Sequence, residues 1–443
     1  MISRVRTLIL RPLPLGRLMH YGGALASRGL EAAGKFGLYM LAARMMGAAD
    51  SGLFFLCLTW VNLCSTAARM GLERAMSRHI AAELAIGDAR AARAALITGV
   101  GWTAAASAGA ALGTVLIATP LAIHVFRLPE LAHPLAVAAL ILVPQSLAFA
   151  IGFALIGLNR PVMGQMVQSA LPPVLSLALL VAGLTQLDAV LTIYAGSYAI
   201  CCLLGLTCIV WDWRLVTADV APPSATAASA PPSDPLPPIW ITARPFLVIE
   251  MVQVTLLSVP VLMLGMFADA PSVSAFSIVS RITMLINTML VSIAMIAAPG
   301  FAAHHRRREF AALRHLQQQT KMVAMALCLP VIMGMILFVH PLLGLMASDQ
   351  PGAAATLFVL CVGQVVNAAL PTQDMMLSMT GHGALLRRLN LHQLLVCCGL
   401  GALLIPPFGM MGAAVVSTIC LIQGRVSFAR AVRRVLPELS IAR

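Results

Sequence analysis

The stretch Met19-His-Tyr-Gly-Gly-Ala-Leu-Ala-Ser-Arg28-Gly-Leu-Glu31-Ala-Ala-Gly-Lys35-Phe-Gly-Leu-Tyr-Met-Leu-Ala-Ala-Arg-Met45 decides the reading of the whole chain. It holds no proline and is apolar over a length sufficient for a helix to cross about 30 Å of hydrocarbon. Three charges interrupt its middle, ahead of Arg44 at its end. Arg28, Glu31 and Lys35 are spaced by three and four residues, so a helix stacks them along one face. A charge at mid-bilayer costs at least about 2.5–3.5 kcal/mol, and a face carrying three must turn from acyl chains toward a water-filled or protein-lined interior. The stretch therefore predicts a membrane-spanning helix with a polar interior beside it.

Outward from this segment the pattern repeats. Apolar runs of helical length bounded by Gly, Pro and charge give about twelve spans, near residues 19–45, 50–76, 93–125, 131–157, 162–184, 188–211, 243–268, 272–300, 319–346, 352–379, 389–407 and 410–430. Composition agrees: 60% of the 443 residues are hydrophobic and 10% charged, against about 25% charged in an ordinary soluble chain, which excludes a soluble globular protein. A net charge of +13 would suggest nucleic acid in a soluble chain. Here the cations, nearly all Arg, sit just outside the apolar runs, where membrane topology accounts for them, and no nucleic-acid partner is expected.

The ten cysteines fall inside apolar runs without a CxxC spacing and read as packing residues, not as a disulfide frame or zinc site. His124, His133 and His340 lack metal-ligand spacing, so no metal is expected. His20, His79, His304, His305 and His315 read as solvated residues of basic segments. No Gly-x-x-x-x-Gly-Lys motif is present, and neither ATP hydrolysis nor a bound cofactor is expected. Arg4, Arg6, Arg11 and Arg17 resemble the basic flank of a signal peptide, but the charged stripe that follows replaces the uncharged core such a peptide needs. No cleavage is predicted.

Residues 212–242, from Asp219-Val-Ala-Pro-Pro-Ser to Pro237-Pro238, are rich in Pro, Ala and Ser and read as a flexible linker. They divide the chain into a basic segment (1–18), a six-helix bundle (19–211), the linker, a second six-helix bundle (243–430) and a basic tail (431–443). Alternate connections carry Arg74, Arg78, Arg90 and Arg93, then Arg160, then Arg214 and Arg244, then Arg306, Arg307, Arg308 and Arg314, then Arg387 and Arg388. The opposite connections hold only Arg44 and Arg127, and several hold an acid instead (Asp50, Glu130, Asp188, Asp269, Asp349). The cation-rich side, with both termini, is expected to face the cytoplasm. Sliding the second bundle back by about 222 residues lays Phe276 on Phe54 and Ser378-Met-Thr-Gly-His on Ile156-Gly-Leu-Asn-Arg, in the same orientation. The expected fold class is an all-α polytopic membrane protein with about 12 transmembrane helices in two parallel-repeat six-helix bundles around a central cleft. That is the architecture of an alternating-access transporter, not of an enzyme.

Ala24-Leu-Ala-Ser-Arg-Gly-Leu-Glu31, Ala43-Arg-Met-Met-Gly-Ala-Ala-Asp-Ser-Gly-Leu-Phe54 and Met70-Gly-Leu-Glu-Arg-Ala-Met-Ser-Arg-His-Ile-Ala81 resemble the opening of oligosaccharide flippases, the polysaccharide transporter family of the multidrug, oligosaccharidyl-lipid and polysaccharide (MOP) exporter superfamily. In that family a first helix ends in an Arg-x-x-Gly turn and a second ends in Gly followed by spaced Arg. Val259 through Ala268-Asp-Ala, Ala275-Phe-Ser-Ile-Val-Ser-Arg281 and Ala298-Pro-Gly resemble the family's seventh and eighth helices. Arg44-Met-Met-Gly departs mildly from the family's Arg-Leu-Leu-Gly turn. The resemblance implies a carrier of polyprenyl-diphosphate-linked oligosaccharide from the cytoplasmic to the outer leaflet of the bacterial inner membrane, for surface polysaccharide such as lipopolysaccharide O-antigen. It implies a cationic cleft and, as partners, membrane lipids, a polysaccharide polymerase and glycosyltransferases. The alternatives are a MATE-type or major-facilitator exporter and a membrane glycan polymerase. Gly71-Leu-Glu-Arg-Ala-Met-Ser-Arg78 lacks the major-facilitator Gly-x-x-x-Asp-Arg-x-Gly-Arg pattern, and the short external loops leave a polymerase no catalytic domain.

Two readings of the stripe on the first helix stand. Glu31 and Lys35 form a structural salt bridge, or Arg28 and Lys35 receive the diphosphate, since guanidinium offers planar paired donors to phosphate oxygens. The 222-residue shift puts Glu250 at the position of Arg28, and a pairing of the two that phosphate breaks is the expected gate; the alternative is a hydrated Glu250. Arg281, some nine residues into the eighth span, is the next candidate for phosphate or sugar. Gln364, Asn367 and Asp374 form a polar stripe broken by Pro371, read either as a sugar-binding surface or as partners for backbone groups the proline frees. Asp374 and Glu31 are the candidates for proton coupling. The Arg306-Arg-Arg run and Glu73, Arg74 and Arg78 are read as topology determinants touching anionic lipid heads.

Overall fold

In a computed structural model the described residues are 15–181, 186–218, 237–345 and 350–435, and no strand occurs among them. Most of segment 1–18, most of the expected linker, Asp349 and the tail from 436 lie outside the described residues. The chain forms α1 (Leu15–Arg69), α2 (Leu72–Ala85), α3 (Ala89–Pro120, continued by a π-helical turn Leu121–Val125), α4 (Ala132–Gly157) and α5 (Pro161–Leu180). After these come α6 (Leu187–Ala218), α7 (Ile239–Phe267), α8 (Ala270–Arg306), α9 (Phe310–Leu337), α10 (Val339–Leu345), α11 (Ala353–Ala369), α12 (Gln373–Met379) and α13 (Gly383–Val435). Local signals set several of the boundaries. Asp88 caps α3 by accepting from the backbone N–H groups of Arg90 and Ala91 at 3.0 and 2.9 Å. Pro161 stands at the first position of α5, where its missing N–H is no loss.

Nine helices among the described residues are long and apolar enough to cross a membrane, and the pair α11 and α12, bent by 41°, makes a tenth. Two of the nine are hairpins of helices. α1 is non-helical at Gly47 (φ 78°, ψ 174°). The rings of Tyr39 and Phe55 stand 5.8 Å apart across that point, where a straight helix of sixteen residues would separate them by about 24 Å. α13 breaks likewise at Gly409, and Gln393 Nε2 donates to the Cys420 carbonyl at 2.8 Å across the break. Dividing both hairpins brings the spans to twelve.

Boundaries differ from the sequence reading where apolarity and helicity part company. The span expected over 50–76 stops at Arg69, because Met70 and Gly71 take left-handed dihedrals. The ninth and eleventh spans begin earlier than expected, at Phe310 and Gly383, because the polar residues after their first turns (Arg314 to Lys321, Arg387 to Asn390) are helical without being apolar. Helix starts at Ala89, Ala132 and Pro161 recur at Phe310, Ala353 and Gly383, offsets of 221, 221 and 222 residues. Phe54 and Phe276, which that shift superposes, are both buried.

The N-terminal helices meet the C-terminal ones chiefly where α1 packs on α7 and α8 and α2 packs on α7. Small residues allow the closest approach. Ser51 Oγ and Ser274 Oγ share a hydrogen bond at 2.6 Å, and a Cβ on Gly52 would overlap the carbonyl of Ala270. With no hydrophobic drive between helices in lipid, such contacts supply much of the packing. Gly52→Val is expected to cost about 1–3 kcal/mol by overpacking, read as a lower thermal midpoint of the detergent-solubilised protein. Gly113→Val, where nothing lies within 4 Å, is expected to leave the midpoint unchanged.

Candidate functional site

The charged stripe of α1 faces α5. Lys35 Nζ donates to Glu31 Oε1 at 2.7 Å, and an Arg28 nitrogen lies 4.0 Å from Glu31 Oε2. From α5, Gln165 Nε2 and Ser169 Oγ donate to the same Oε2 at 2.9 and 3.0 Å, and Gln168 Nε2 donates to Gln165 Oε1 at 2.9 Å. A π-helical turn over Met166–Ala170 widens α5 beside this cluster, a local irregularity common at functional sites. Glu31 is thus saturated with donors and its side chain is only 16% exposed, while Arg28 and Lys35 keep 40% and 35% of theirs accessible. One carboxylate neutralises one of the two cations. The stripe carries a surplus positive charge within reach of solvent.

Arg281 of α8 completes the cluster from the C-terminal side. Its guanidinium lies 3.8 Å from the centroid of Tyr39 and 4.7 Å from that of Phe55, on the two arms of the α1 hairpin. A cation over an aromatic face gains roughly 0.5–2 kcal/mol depending on its desolvation. Tyr39 stands one turn beyond Lys35 on the same face of α1. Tyr194 and Tyr198 of α6, edge to face at 5.1 Å, are buried alongside. Lys35 interacts electrostatically with Tyr39 and Tyr198, and Arg281 with Tyr194. Arg28, Glu31, Lys35 and Arg281 therefore belong to one cationic and aromatic surface built by α1, α5, α6 and α8. The chain has four tyrosines, and three of them lie here. Their scarcity, with Tyr194 and Tyr198 one turn apart, was the available signal for residues that charge spacing alone missed.

The other expected residues are distributed differently. Asn367 Nδ2 donates to Gln364 Oε1 at 3.0 Å on α11, and Asn367 is fully buried with its Oδ1 unpartnered. Asp374 does not continue their stripe. The chain bends at Leu370–Thr372, and Asp374, on α12, pairs with Arg425 of α13 at 3.0 Å. Glu250 of α7 meets Arg74 of α2 in an ion pair, whereas Arg28 is held by Glu31 on its own helix. In this conformation the expected Arg28–Glu250 pair is not formed.

A second polar cluster lies at the break between α1 and α2. Arg69 Nε donates to Glu73 Oε1 at 3.0 Å, and its terminal nitrogens donate to Ser65 Oγ at 2.8 Å and Thr66 Oγ1 at 3.0 Å. The guanidinium also lies 4.4 Å from the ring of Phe149. Arg69 and Glu73 are 6% and 3% exposed, so Glu73 is a buried partner and not a lipid-facing topology residue. His79, expected to be solvated, is also buried, 3.3 Å from Thr242 of α7. Both corrections have one cause: α2 lies against α4 and α7 instead of running free as a loop. Burial pushes the Glu73 carboxyl above its ordinary value, against the pull of Arg69 and with help from Glu250. Burial likewise lowers the His79 imidazole.

A profile of the family described as polysaccharide biosynthesis protein matches residues 25–305, and one described as MatE matches residues 245–398. No curated protein matches the chain. Among solved structures, the chain is similar to an inward-facing multidrug resistance MATE family transporter of the MOP superfamily, with 16% identity, 95% of each chain covered and a TM-score of 0.71. It is similar to the lipid II flippase MurJ in an inward closed conformation, with 12% identity over 96% of this chain and 90% of that one and a TM-score of 0.67. A MOP superfamily transporter from Pyrococcus furiosus, described as having a binding pocket of reverse polarity, gives 15% identity, 95% of each chain and a TM-score of 0.63. These likenesses show a shared fold, and the proteins that carry it are transporters and flippases, not enzymes. With the first profile covering well over half its length, this multi-pass membrane protein of MOP fold belongs to the polysaccharide biosynthesis protein family.

Proposed function

We propose that the chain is a flippase that moves polyprenyl-diphosphate-linked oligosaccharide from the cytoplasmic to the outer leaflet of the bacterial inner membrane by alternating access. The observation that carries this reading is the convergence of Arg28 and Lys35 with Arg281 on one aromatic-lined surface, from helices on opposite sides of the linker. A diphosphate brings negative charge and acceptor oxygens in excess, which a surface with surplus cations accommodates and a neutral or cationic cargo does not use. In this mechanism Glu31 keeps Lys35 and Arg28 extended along the face, and phosphate competes with Glu31 for them. Arg281 spans the seam between the two groups of helices, so a ligand that draws it off Tyr39 and Phe55 interacts differently with different arrangements of the two sides. Such a difference is what a ligand needs to shift a conformational equilibrium. Gln364, held by the buried Asn367, is assigned to sugar hydroxyls, and Asp374, with Arg425, to gating. The recurring helix starts support two like-built bundles, and the cation-rich connections support a cytoplasmic placement of both termini.

A second reading, export of a small molecule, has its support in the MatE match over residues 245–398. One experiment separates the two: the full chain in proteoliposomes with a fluorescent polyprenyl-diphosphate oligosaccharide, its leaflet followed by accessibility to an added quencher. The flippase reading expects transfer across the bilayer. No transfer of this lipid, with export of an organic cation instead, would establish the second reading.

In the same assay Arg281→Leu is expected to lower transfer by about tenfold or more, the weight of one charge-assisted hydrogen bond of roughly 1.5–3 kcal/mol. Arg281→Lys, which keeps the charge and loses the planar fork, should fall between. Glu250→Arg alone is expected to lower transfer, and combining it with Arg74→Glu to restore part of it; transfer rates of the two variants check the pairing.

A further inference from the structure

On the second arm of α1 a row of side chains leads away from the cationic surface. Phe55, Thr59, Asn62, Thr66 and Arg69 are spaced by four, three, four and three residues and share one face. Phe55 carries the Arg281 guanidinium, and Asn62 stands two turns from it toward the cation-rich end, about 10 Å along the helix. Both threonine hydroxyls turn onto the backbone, Thr59 to the Phe55 carbonyl at 2.7 Å and Thr66 to the Asn62 carbonyl at 2.8 Å. The arm is enclosed on four sides: Trp60 donates to Thr114 of α3, Ser65 bonds Ser146 of α4, Leu56 lies against Gly265 of α7 and Ser51 bonds Ser274 of α8. Over residues 51–66 the one exposed side chain is Asn62. Sharing the face of Phe55 on an enclosed arm, it opens onto the interior beside the cationic surface and not onto acyl chains.

Gln145 of α4 reaches the same place. It is 3% exposed, and its Nε2 donates to Asn62 Oδ1 at 2.7 Å. Each amide can both donate and accept, and this bond uses one atom of each. Asn62 Nδ2 is left as a donor at the opening, and Gln145 Oε1 is a buried acceptor without a partner. Turning both amides over exchanges donor and acceptor and leaves the same imbalance. An unmatched buried polar atom costs free energy, and a pair that only joined α1 to α4, as Ser65 and Ser146 already do, has no use for it.

We propose that Asn62 and Gln145 form a seat for the acetamido group of an amino sugar joined to the diphosphate. The seat rests on the flippase reading and gives it a specificity. An acetamido group supplies in one unit the carbonyl that Asn62 Nδ2 can donate to and the N–H that Gln145 Oε1 can accept from, the latter once the Gln145 side chain turns toward the opening. The two helical turns between the seat and Arg281 are a separation that a diphosphate and its first sugar span. A sugar with a hydroxyl in place of the acetamido group presents one polar atom where the seat offers two. Polar groups left unmatched by the wrong ligand are what discriminates against it. The cationic surface thus reads the diphosphate that all such lipids share, and the amide pair reads the sugar.

Two soluble short-chain ligands test this, a prenyl-diphosphate N-acetylglucosamine and the matching glucose compound, each titrated into the detergent-solubilised full chain by calorimetry. The wild type is expected to bind the first about tenfold more tightly, the weight of two neutral hydrogen bonds. Because the ligands share prenyl chain and diphosphate, the ratio of their affinities cancels what a substitution does to either. Asn62→Leu is expected to bring the ratio to unity. Asn62→Asp keeps an acceptor for Gln145 Nε2, and with it the link between α1 and α4, but removes the free donor; it too is expected to bring the ratio to unity, whereas a purely structural pair would leave the ratio unchanged. Arg281→Leu is expected to weaken both ligands and keep the ratio. Equal affinities in the wild type, or a preference that survives Asn62→Asp, overturn the seat and leave the flippase reading standing. Binding of neither ligand overturns the flippase reading and the seat with it.

Discussion

A charge among acyl chains is expensive, and this chain places three of them on one face of its first helix and another partway into α8. Everything built around them answers that cost. α5 supplies Gln165 and Ser169 to the one carboxylate, α6 supplies two tyrosines, and the α1 hairpin offers Tyr39 and Phe55 to the guanidinium of Arg281. Because Glu31 cancels only one of the two cations on its own helix, the surface keeps a positive surplus. An anionic group supplied from outside the protein is the natural complement to such a surplus.

The same cost explains why the seam between the two sides is both tight and divisible. Serine and glycine let α1 and α8 approach to backbone contact at one end, where Ser51 and Ser274 share a hydrogen bond. At the cation-rich end the contact is ionic, Arg74 to Glu250, and lies beside a helix break. Packing of small residues in lipid is insensitive to pH, whereas an ion pair next to a buried carboxyl is not. The molecule thus holds its two sides together by different physical means at its two ends.

Helix count, the polar interior beside α1 and the kinship of the chain were all legible in residue order. They rest on run length, on the three-and-four spacing of Arg28, Glu31 and Lys35, and on turns whose Gly and Arg positions are local. The register of 222 residues was legible too, and three helix starts of the first half recur within one residue of it in the second. What it did not place was contact: it equated Glu250 with Arg28, but a shift that superposes two helices says nothing about which helix a side chain then faces. Glu250 faces Arg74 because α7 lies along α2.

Residue order alone therefore determined a membrane protein of about twelve spans with intramembrane cations, because insertion cost depends on the side chains within each segment. The tertiary structure alone decided that Arg281 joins the stripe of α1, that three of four tyrosines line it, and that Arg69, Glu73 and His79 are buried. Those outcomes depend on which helices pack together and on a break at Met70–Gly71. The neighbour packed against that break comes from residues more than a hundred and sixty positions away, as where His79 meets Thr242.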